Sequence, residues 1–177
     1  MGKRYTEIST KLSEFIADQK LFFVATAAAE GRVNVSPKGM DTLRVLGPNK
    51  VIWLNLTGSG NETAAHLMEN NRMTIMFCAF EGNPMILRLY GSATIFHHGE
   101  SEFNEYISSF PEQVGSRQII ELDVELVQTS CGFGVPMMDF NEERTLLTAW
   151  GTKKGEDGIK KYWEEKNRVS LDNKEIK

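Results

Sequence analysis

Residues 51–67 read VIWLNLTGSGNETAAHL, an apolar strand pattern that passes into a helical pattern through a turn with two glycines. Val51–Leu54 is a run of strand-forming residues bounded by turn signals. Ser59 and Glu62 have the spacing of a capping box, in which each side chain bonds a free backbone N–H at a helix start. We therefore predict a strand over Val51–Leu54 and a helix from about Asn61 to Asn70.

The turn between this strand and this helix has the composition of an anion-binding site. Free N–H groups and the positive end of the helix dipole attract anions, and glycines let a ligand approach the main chain closely. The turn lacks the Gly-Lys-Ser/Thr ending of a P-loop. Two interpretations remain open: the turn binds an anion, or it only joins a strand to a capped helix.

Strand patterns continue on both sides of this segment. Further strands are predicted over Leu21–Ala27, Arg32–Val35, Arg72–Phe80, Met85–Phe96 and Ile120–Leu126. The last of them alternates strictly between apolar and acidic residues, which predicts one solvated face. In Asn34–Gly39 a strand ends at Pro37, which has no N–H to donate, so we expect an edge, a bulge or a ligand-facing rim there, with Lys38 near it.

Helical spacing of apolar residues predicts the remaining elements. The periodic positions are Ile8, Leu12, Phe15 and Ile16; Phe103, Tyr106, Ile107 and Phe110; and the segments Leu146–Trp150 and Ile159–Trp163. The last ten or so residues are polar, and we expect them to be frayed. About six strands with short links and few helices indicate an α+β, β-dominated fold built on an antiparallel barrel or sandwich.

Composition limits the class of protein. A chain of 177 residues with 41% hydrophobic and 25% charged residues suits one globular domain. The formal charge of -4 comes from 24 acidic and 20 basic residues that are interspersed, so no basic stripe predicts nucleic-acid binding. No apolar run approaches the roughly 20 residues of a membrane span and no signal peptide opens the sequence, so a cytoplasmic location is expected.

Other chemistry-bearing residues give little signal. Cys78 and Cys131 are isolated and are interpreted as reduced core thiols, although spacing alone does not exclude a disulfide. His66, His97 and His98 do not form a metal set, and no nucleophile, base or carboxylate pair stands out, so catalytic residues are left unassigned. Trp53 is interpreted as core.

Several motifs together carry a family resemblance. They are FFVAT (22–26), GRVNVSPKG (31–39), VIWLNLTGSGNETAAHL (51–67), NRMTIMF (71–77) and LRLYGSA (87–93). Over roughly residues 5–130 the chain resembles the FMN-binding split-barrel family of pyridoxamine 5′-phosphate oxidase. Its C-terminal part is similar to a branch of that family other than the oxidase itself.

The resemblance implies a six-stranded antiparallel split barrel with peripheral helices, over residues 1–130, and a C-terminal loop and helical extension over residues 131–177 packed on it. It also implies a homodimer with FMN in a groove between the subunits. The positions that match cofactor-binding residues are Ser36, Pro37 and Lys38 on one strand, Asn55, Leu56 and Thr57 on the next, Asn61, Glu62 and Thr63 at the helix start that holds the phosphate, and Arg88 near the dimer groove.

The chain departs from the oxidase at the phosphate and at the substrate. In the oxidase arginine and lysine meet the phosphate, whereas Ser36, Asn61, Glu62 and Thr63 are neutral or acidic here. Two alternatives follow: FMN binding is weak, or Lys38 and Arg44 supply the positive charge. The oxidase's C-terminal substrate motif has no match in Ala149–Lys177. Oxidation of pyridoxamine phosphate is therefore not expected.

Two functions follow as hypotheses. The first is an FMN-dependent oxidoreductase that acts on an unknown small molecule, with the flavin ring carrying the hydride chemistry. The second is a non-catalytic flavin- or haem-binding module on the same barrel, in which His97 or His98 would be an axial ligand if it faced the groove.

Overall fold

The computed structural model describes residues 2–176, which form a strand-rich α+β fold. Its strands are β1 (Lys3–Tyr5), β2 (Phe22–Thr26), β3 (Asn34–Lys38), β4 (Leu43–Gly47), β5 (Lys50–Leu56), β6 (Arg72–Cys78), β7 (Ile86–His97) and β8 (Ser116–Ser130). Its α-helices are α1 (Thr10–Asp18), α2 (Glu62–Glu69), α3 (Ser101–Tyr106) and α4 (Leu146–Lys166), and a 3-10 turn over Ile107–Ser109 follows α3.

All eight strands belong to one sheet in the order β3-β2-β6-β7-β8-β5-β4, with β1 paired to the end of β8. Every pairing is antiparallel, as the sequence predicted. The expected count of six strands was wrong by two. No strand was predicted at β1, whose three residues are all exposed, or at β4, which has no fully buried residue.

The proline in β3 does not end that strand. Pro37 pairs with Phe23 of β2, and the strand continues to Lys38. A missing N–H is tolerated because β3 lies at one end of the sheet and pairs with β2 alone. The prediction of an edge was therefore confirmed and the prediction of a strand end was wrong.

The main core lies on one face of the sheet, beneath α1. Its most buried members are Val24, Val51, Trp53, Ile75, Leu87, Leu89, Ile120, Leu122 and Val127. Trp53 is 1% exposed, which confirms it as core. A second apolar cluster on the other face joins β5 and β8 to α3 through Ile52, Leu54, Ile119, Phe103 and Phe110.

The predicted solvated face of β8 exists only in the second half of that strand. Asp123 and Glu125 are exposed, but Glu121 is buried because it accepts hydrogen bonds from Lys50 Nζ at 2.9 Å and Tyr106 Oη at 2.7 Å. Burial is complete on both faces from Arg117 to Leu122, where α3 and the C-terminal segment cover the strand.

The C-terminal region is more ordered than its polarity suggests. The two helical segments expected near Trp150 and Trp163 are continuous in α4 except for a kink at Gly155, whose φ of +67° suits glycine. After α4, Val169 bridges to Glu175, and Ile176 is buried against the helix α2. The prediction of a frayed end was wrong for residues 167–176; Lys177 lies outside the described residues.

The two cysteines differ in burial. Cys78 is buried and Cys131 is exposed, and both are free thiols, so Cys131 is not the core residue predicted. Burial raises the pKa of the Cys78 thiol.

Between residues 2 and 176 no helix is long and apolar enough to cross a membrane, and no cluster of three or more His, Cys, Asp or Glu side chains is arranged for a metal ion.

Candidate functional site

A cavity of about 260 Å³ lies where β3, β5 and the start of β8 meet the N-terminal end of α2. We call it the α2 cavity. Its lining residues are Asn34, Ser36, Lys38, Asn55, Leu56, Gly58, Ser59, Gly60, Asn61, Glu62, Thr63 and Arg117. The structure thus brings together seven of the ten positions that the family resemblance marked, and it adds an arginine that the sequence analysis did not consider.

Lys38 brings a cation from the edge strand β3. Its Nζ lies 5.2 Å from the centroid of the Trp53 ring, a cation–π contact. Burial and, to a smaller extent, the nearby charge of Arg117 lower the pKa of Lys38 to about 8. Lys38 is therefore still mainly protonated at neutral pH but close to its titration range.

Arg117 brings a second cation from the start of β8, and it is only 7% exposed. Its Nη1 donates to Asn167 Oδ1 at 2.7 Å and to the Gly60 carbonyl at 3.1 Å, and its Nη2 donates to Asn55 Oδ1 at 3.4 Å. Its Nε is buried without a partner. Burial lowers the pKa of Arg117 to about 10, which leaves the guanidinium charged at neutral pH.

Neither cation of the α2 cavity is neutralised by a carboxylate. The ion pairs within residues 2–176 include neither Lys38 nor Arg117. Glu62 lines the cavity, but its Oε1 accepts a hydrogen bond from the Leu171 N–H at 2.9 Å. Burying a charge without a counter-charge is costly, so this arrangement favours an anion from outside the chain.

The start of α2 adds main-chain donors to these two charges. The helix begins at Glu62 with Asn61 as its N-cap, and no side chain bonds the free N–H groups of the first turn. The predicted capping box between Ser59 and Glu62 was wrong, because Glu62 is the first helical residue and its carboxylate bonds the C-terminal segment. First-turn N–H groups without a cap can bind an anion.

A chain of hydrogen bonds fixes the helix start to the neighbouring strands. Asn34 Nδ2 donates to Thr63 Oγ1 at 3.2 Å and to Thr26 Oγ1 at 3.4 Å. Thr26 Oγ1 lies 3.1 Å from Nδ1 of the buried His66. Thr63 Oγ1 accepts the bond from Asn34, and Thr63 lines the cavity, so its hydroxyl is a further potential donor there.

Three positions from the resemblance lie outside the α2 cavity. Pro37 is exposed on β3. Thr57 is buried, donates to the Gly115 carbonyl at 2.7 Å and accepts from Trp163 Nε1 at 2.7 Å, so it joins β5 to α4. Arg88 lies on β7, where its Nη1 donates to Ser130 Oγ at 3.3 Å.

The two expected sources of charge also separate in the structure. Lys38 lines the α2 cavity, but Arg44 lies on β4 beside Asp41 and lines a different cavity. Arg117 takes the place expected of Arg44. No sequence signal singled out Arg117, because it precedes the alternating pattern of Ile120–Leu126, and only the pairing of β5 with β8 brings it next to Asn55.

Taken together, the α2 cavity offers two unpaired cations, free helix N–H groups and the hydroxyls of Ser36, Ser59 and Thr63. These donors suit a phosphate or a similar oxyanion, for which arginine, lysine and helix N-termini are the usual protein ligands. The α2 cavity, at about 260 Å³, is smaller than the pockets that hold drug-sized ligands, which measure roughly 300–1,000 Å³. It fits the charged end of a larger ligand.

Comparisons with known proteins show which family this chain's sequence is similar to. The family model described as pyridoxamine 5′-phosphate oxidase matches residues 8–131. The pyridoxamine 5′-phosphate oxidase family protein ustO of Aspergillus flavus is 42% identical over 140 residues, which are 76% of this chain. The chain spans only 56% of the length of ustO.

Two solved structures share the fold at low sequence identity. A tagged variant of HupZ from group A Streptococcus superposes with a TM-score of 0.55 at 21% identity, over 70% of this chain and 99% of that protein. HutZ, the heme storage protein from Vibrio cholerae, superposes with a TM-score of 0.51 at 20% identity, over 67% of this chain and 92% of that protein.

Proposed function

This chain belongs to the pyridoxamine 5′-phosphate oxidase family, and on that premise we propose that it binds FMN by its phosphate in the α2 cavity and acts as a flavin-dependent oxidoreductase on a small molecule. The observation that carries the proposal is a pair of cations, the half-buried Lys38 and the buried Arg117, that face the uncapped start of α2 without a carboxylate partner.

The residues present fit the phosphate end of FMN. Arg117 has an orphaned donor, Nε, and a charge that no acidic side chain of residues 2–176 neutralises. A phosphate carries close to two negative charges at neutral pH. Lys38, Arg117, the first-turn N–H groups of α2 and the hydroxyl of Thr63 would hold it.

The flavin ring needs a surface beyond the α2 cavity. The cavity volume suits a phosphate and the atoms next to it, so the ring would lie along the neighbouring edge strand β3. Two valines on that side are exposed, Val33 at 71% and Val35 at 60%. We propose that a second copy of the chain covers this edge, which makes a homodimer with the flavin in its groove.

When bound, FMN supplies hydride transfer. The protein's part would be to anchor the phosphate at the α2 cavity and to exclude water from the apolar surface next to it. No side chain of the cavity is arranged as a nucleophile with a general base, so we assign no catalytic residue. The substrate is a small molecule of unassigned class.

Haem binding is the alternative, since HutZ shares the fold. The structure gives no prepared axial ligand at the histidines considered. His98 Nε2 is within 2.6 Å of the Ser116 carbonyl, and its ring packs against Phe103 and Trp163. His97 lies at the end of β7 and does not line the α2 cavity.

The test is a titration of the purified protein with FMN and with riboflavin, which has the same ring but no phosphate. If the α2 cavity binds the phosphate, FMN should bind about tenfold to a few hundredfold more tightly, because several hydrogen bonds and charge contacts are lost with riboflavin. Equal affinities would contradict the phosphate assignment. An absorption spectrum of the purified protein separates flavin from haem, and light scattering gives the number of chains.

A further inference from the structure

The segment that follows α4 contacts the α2 cavity, although it lies beyond the residues matched by the family model. We call residues 167–176 the tail segment. It turns back on itself through the bridge between Val169 and Glu175 and packs Ile176, 4% exposed, against Ala64 and Ala65 of α2. Its course brings it over the loop that precedes α2.

Asn167 is the residue of the tail segment that reaches the cavity, and it is 4% exposed. Its Oδ1 accepts a hydrogen bond from Arg117 Nη1 at 2.7 Å, the shortest bond that Arg117 makes. Its Nδ2 donates to the Gly58 carbonyl at 3.2 Å. One amide therefore fixes the guanidinium and the glycine turn relative to each other.

The tail segment also contacts the acidic residue of the cavity. The Leu171 N–H donates to Glu62 Oε1 at 2.9 Å. This hydrogen bond stabilises the Glu62 carboxylate in its present position and limits its rotation towards Arg117. The segment is held in place independently by Lys174, which pairs with Glu69 at 2.5 Å, and by Asp172, which pairs with Arg32.

The groups that accept hydrogen bonds from Arg117 share one property. Its acceptors, which are Asn55 Oδ1, Asn167 Oδ1 and the Gly60 carbonyl, are all uncharged. Uncharged acceptors orient a guanidinium but do not cancel its charge, whereas a carboxylate would do both. An amide at position 167 thus keeps Arg117 oriented and positive.

We infer that the tail segment is a working part of the anion site and that Asn167 is a positioning residue, which holds Arg117 in a fixed orientation with its charge available to a phosphate. This inference rests on the proposed function, because it assigns a role within the same cavity. It extends the site beyond the family region into the C-terminal extension.

The test compares three variants for binding of FMN, riboflavin and inorganic phosphate. Asn167→Asp keeps the shape and the acceptor but supplies a carboxylate to Arg117, so FMN and phosphate affinity should fall by on the order of tenfold to a hundredfold, with riboflavin affinity little changed. Asn167→Ala should weaken FMN by a smaller factor, about threefold to tenfold, because it loses orientation only. Asn141→Asp, which adds the same charge at an exposed loop position that does not line the α2 cavity, should bind FMN like the unmodified protein.

The outcomes separate this inference from the proposed function. If the unmodified protein prefers FMN to riboflavin but Asn167→Asp retains that preference in full, the role of Asn167 is overturned and the FMN site stands. If Asn167→Asp and Asn167→Ala weaken FMN and riboflavin equally, Asn167 only supports the fold and the inference is also overturned. If the unmodified protein binds neither FMN nor phosphate preferentially, the proposed function and this inference both fail. Melting temperatures of all variants show whether each is folded.

Discussion

Two regions of the molecule place a buried or half-buried arginine beside a cavity. In one region a carboxylate pairs with the arginine, and in the other none does. Near β4, Arg44 makes a two-point pair with Asp41, with Nη1 to Oδ1 at 2.6 Å and Nη2 to Oδ2 at 2.8 Å. Its remaining donor, Nε, bonds the Ser109 carbonyl at 2.9 Å. At the α2 cavity, Arg117 has only uncharged acceptors and one orphaned nitrogen.

The cavity beside Arg44 is the larger one, at about 530 Å³ against about 260 Å³ for the α2 cavity. Size alone would therefore favour the region of Arg44 as an anion site. A paired arginine has no net charge to offer, whereas an unpaired and desolvated one attracts an anion strongly. The balance of charge around each arginine, more than the space beside it, is therefore the reason to propose the α2 cavity as the anion site.

Replacing each arginine in turn is the strongest test of the difference between the two regions. We expect Arg117→Met to weaken FMN by about 10- to 150-fold, because charge-assisted hydrogen bonds to the phosphate are lost. Arg44→Met, its matched control, should leave FMN affinity near that of the unmodified protein. Fluorescence titration measures both. A loss of FMN binding in Arg44→Met alone would reverse the assignment of the two regions.

Lys38 gives a pH-dependent version of the same test. Its pKa is lowered to about 8, so it is charged below that pH and neutral above it. The FMN phosphate stays fully ionised over this range, since its second pKa is about 6. FMN affinity should therefore fall as the pH rises through 8, and Lys38→Met should bind FMN about tenfold more weakly at pH 7 with a flatter pH profile.

The same shift has a consequence for stability with the opposite sign. Because folding lowers the pKa of Lys38 below 10.5, the folded ligand-free protein binds this proton less tightly than the unfolded chain does. The contribution of Lys38 should therefore disfavour folding fully below pH 8 and be relieved as the pH rises towards 10.5. Denaturant unfolding of the unmodified protein and of Lys38→Met across this range checks the sign; parallel curves would contradict it.

The smallest expected effect comes from replacing the carboxylate in each of the two regions. Glu62→Gln should bind FMN equally well or up to about fivefold more tightly, because it removes a partly exposed carboxylate from the phosphate's surroundings. Asp41→Asn removes a carboxylate from the other arginine and should not change FMN affinity. Isothermal titration calorimetry resolves differences of this size. Weaker binding by Glu62→Gln would show that its carboxylate supports the site more than it repels the phosphate.

Local patterns in the sequence were enough to predict most of the fold. Continuous apolar runs and helical spacing located β2, β5, β6, β7, α1 and α2 to within a few residues. They failed where a residue's burial depends on what covers it. Glu121 looked solvated from its alternation but is buried under Tyr106, and the polar tail segment looked frayed but is held by single contacts to distant residues.

Part of the candidate site followed from the sequence as well. Lys38 and the turn before α2 were identified because strand ends, glycines and helix starts are local features. The capping box at Ser59 was mispredicted because the residue that bonds Glu62 is Leu171, more than a hundred positions away. A short-range motif cannot show that a distant N–H competes for the same carboxylate.

The sequence by itself determined most of the strands and helices and the position of a helix start after β5, since backbone propensity and side-chain periodicity act over a few residues. Only the tertiary structure decided which cation completes that site. Arg117 lies 62 positions from Asn55 and 50 from Asn167, and it reaches both because β8 pairs with β5 and the chain returns over them after α4. Charge and burial depend on neighbours in space, so an arginine's role is fixed when the sheet forms.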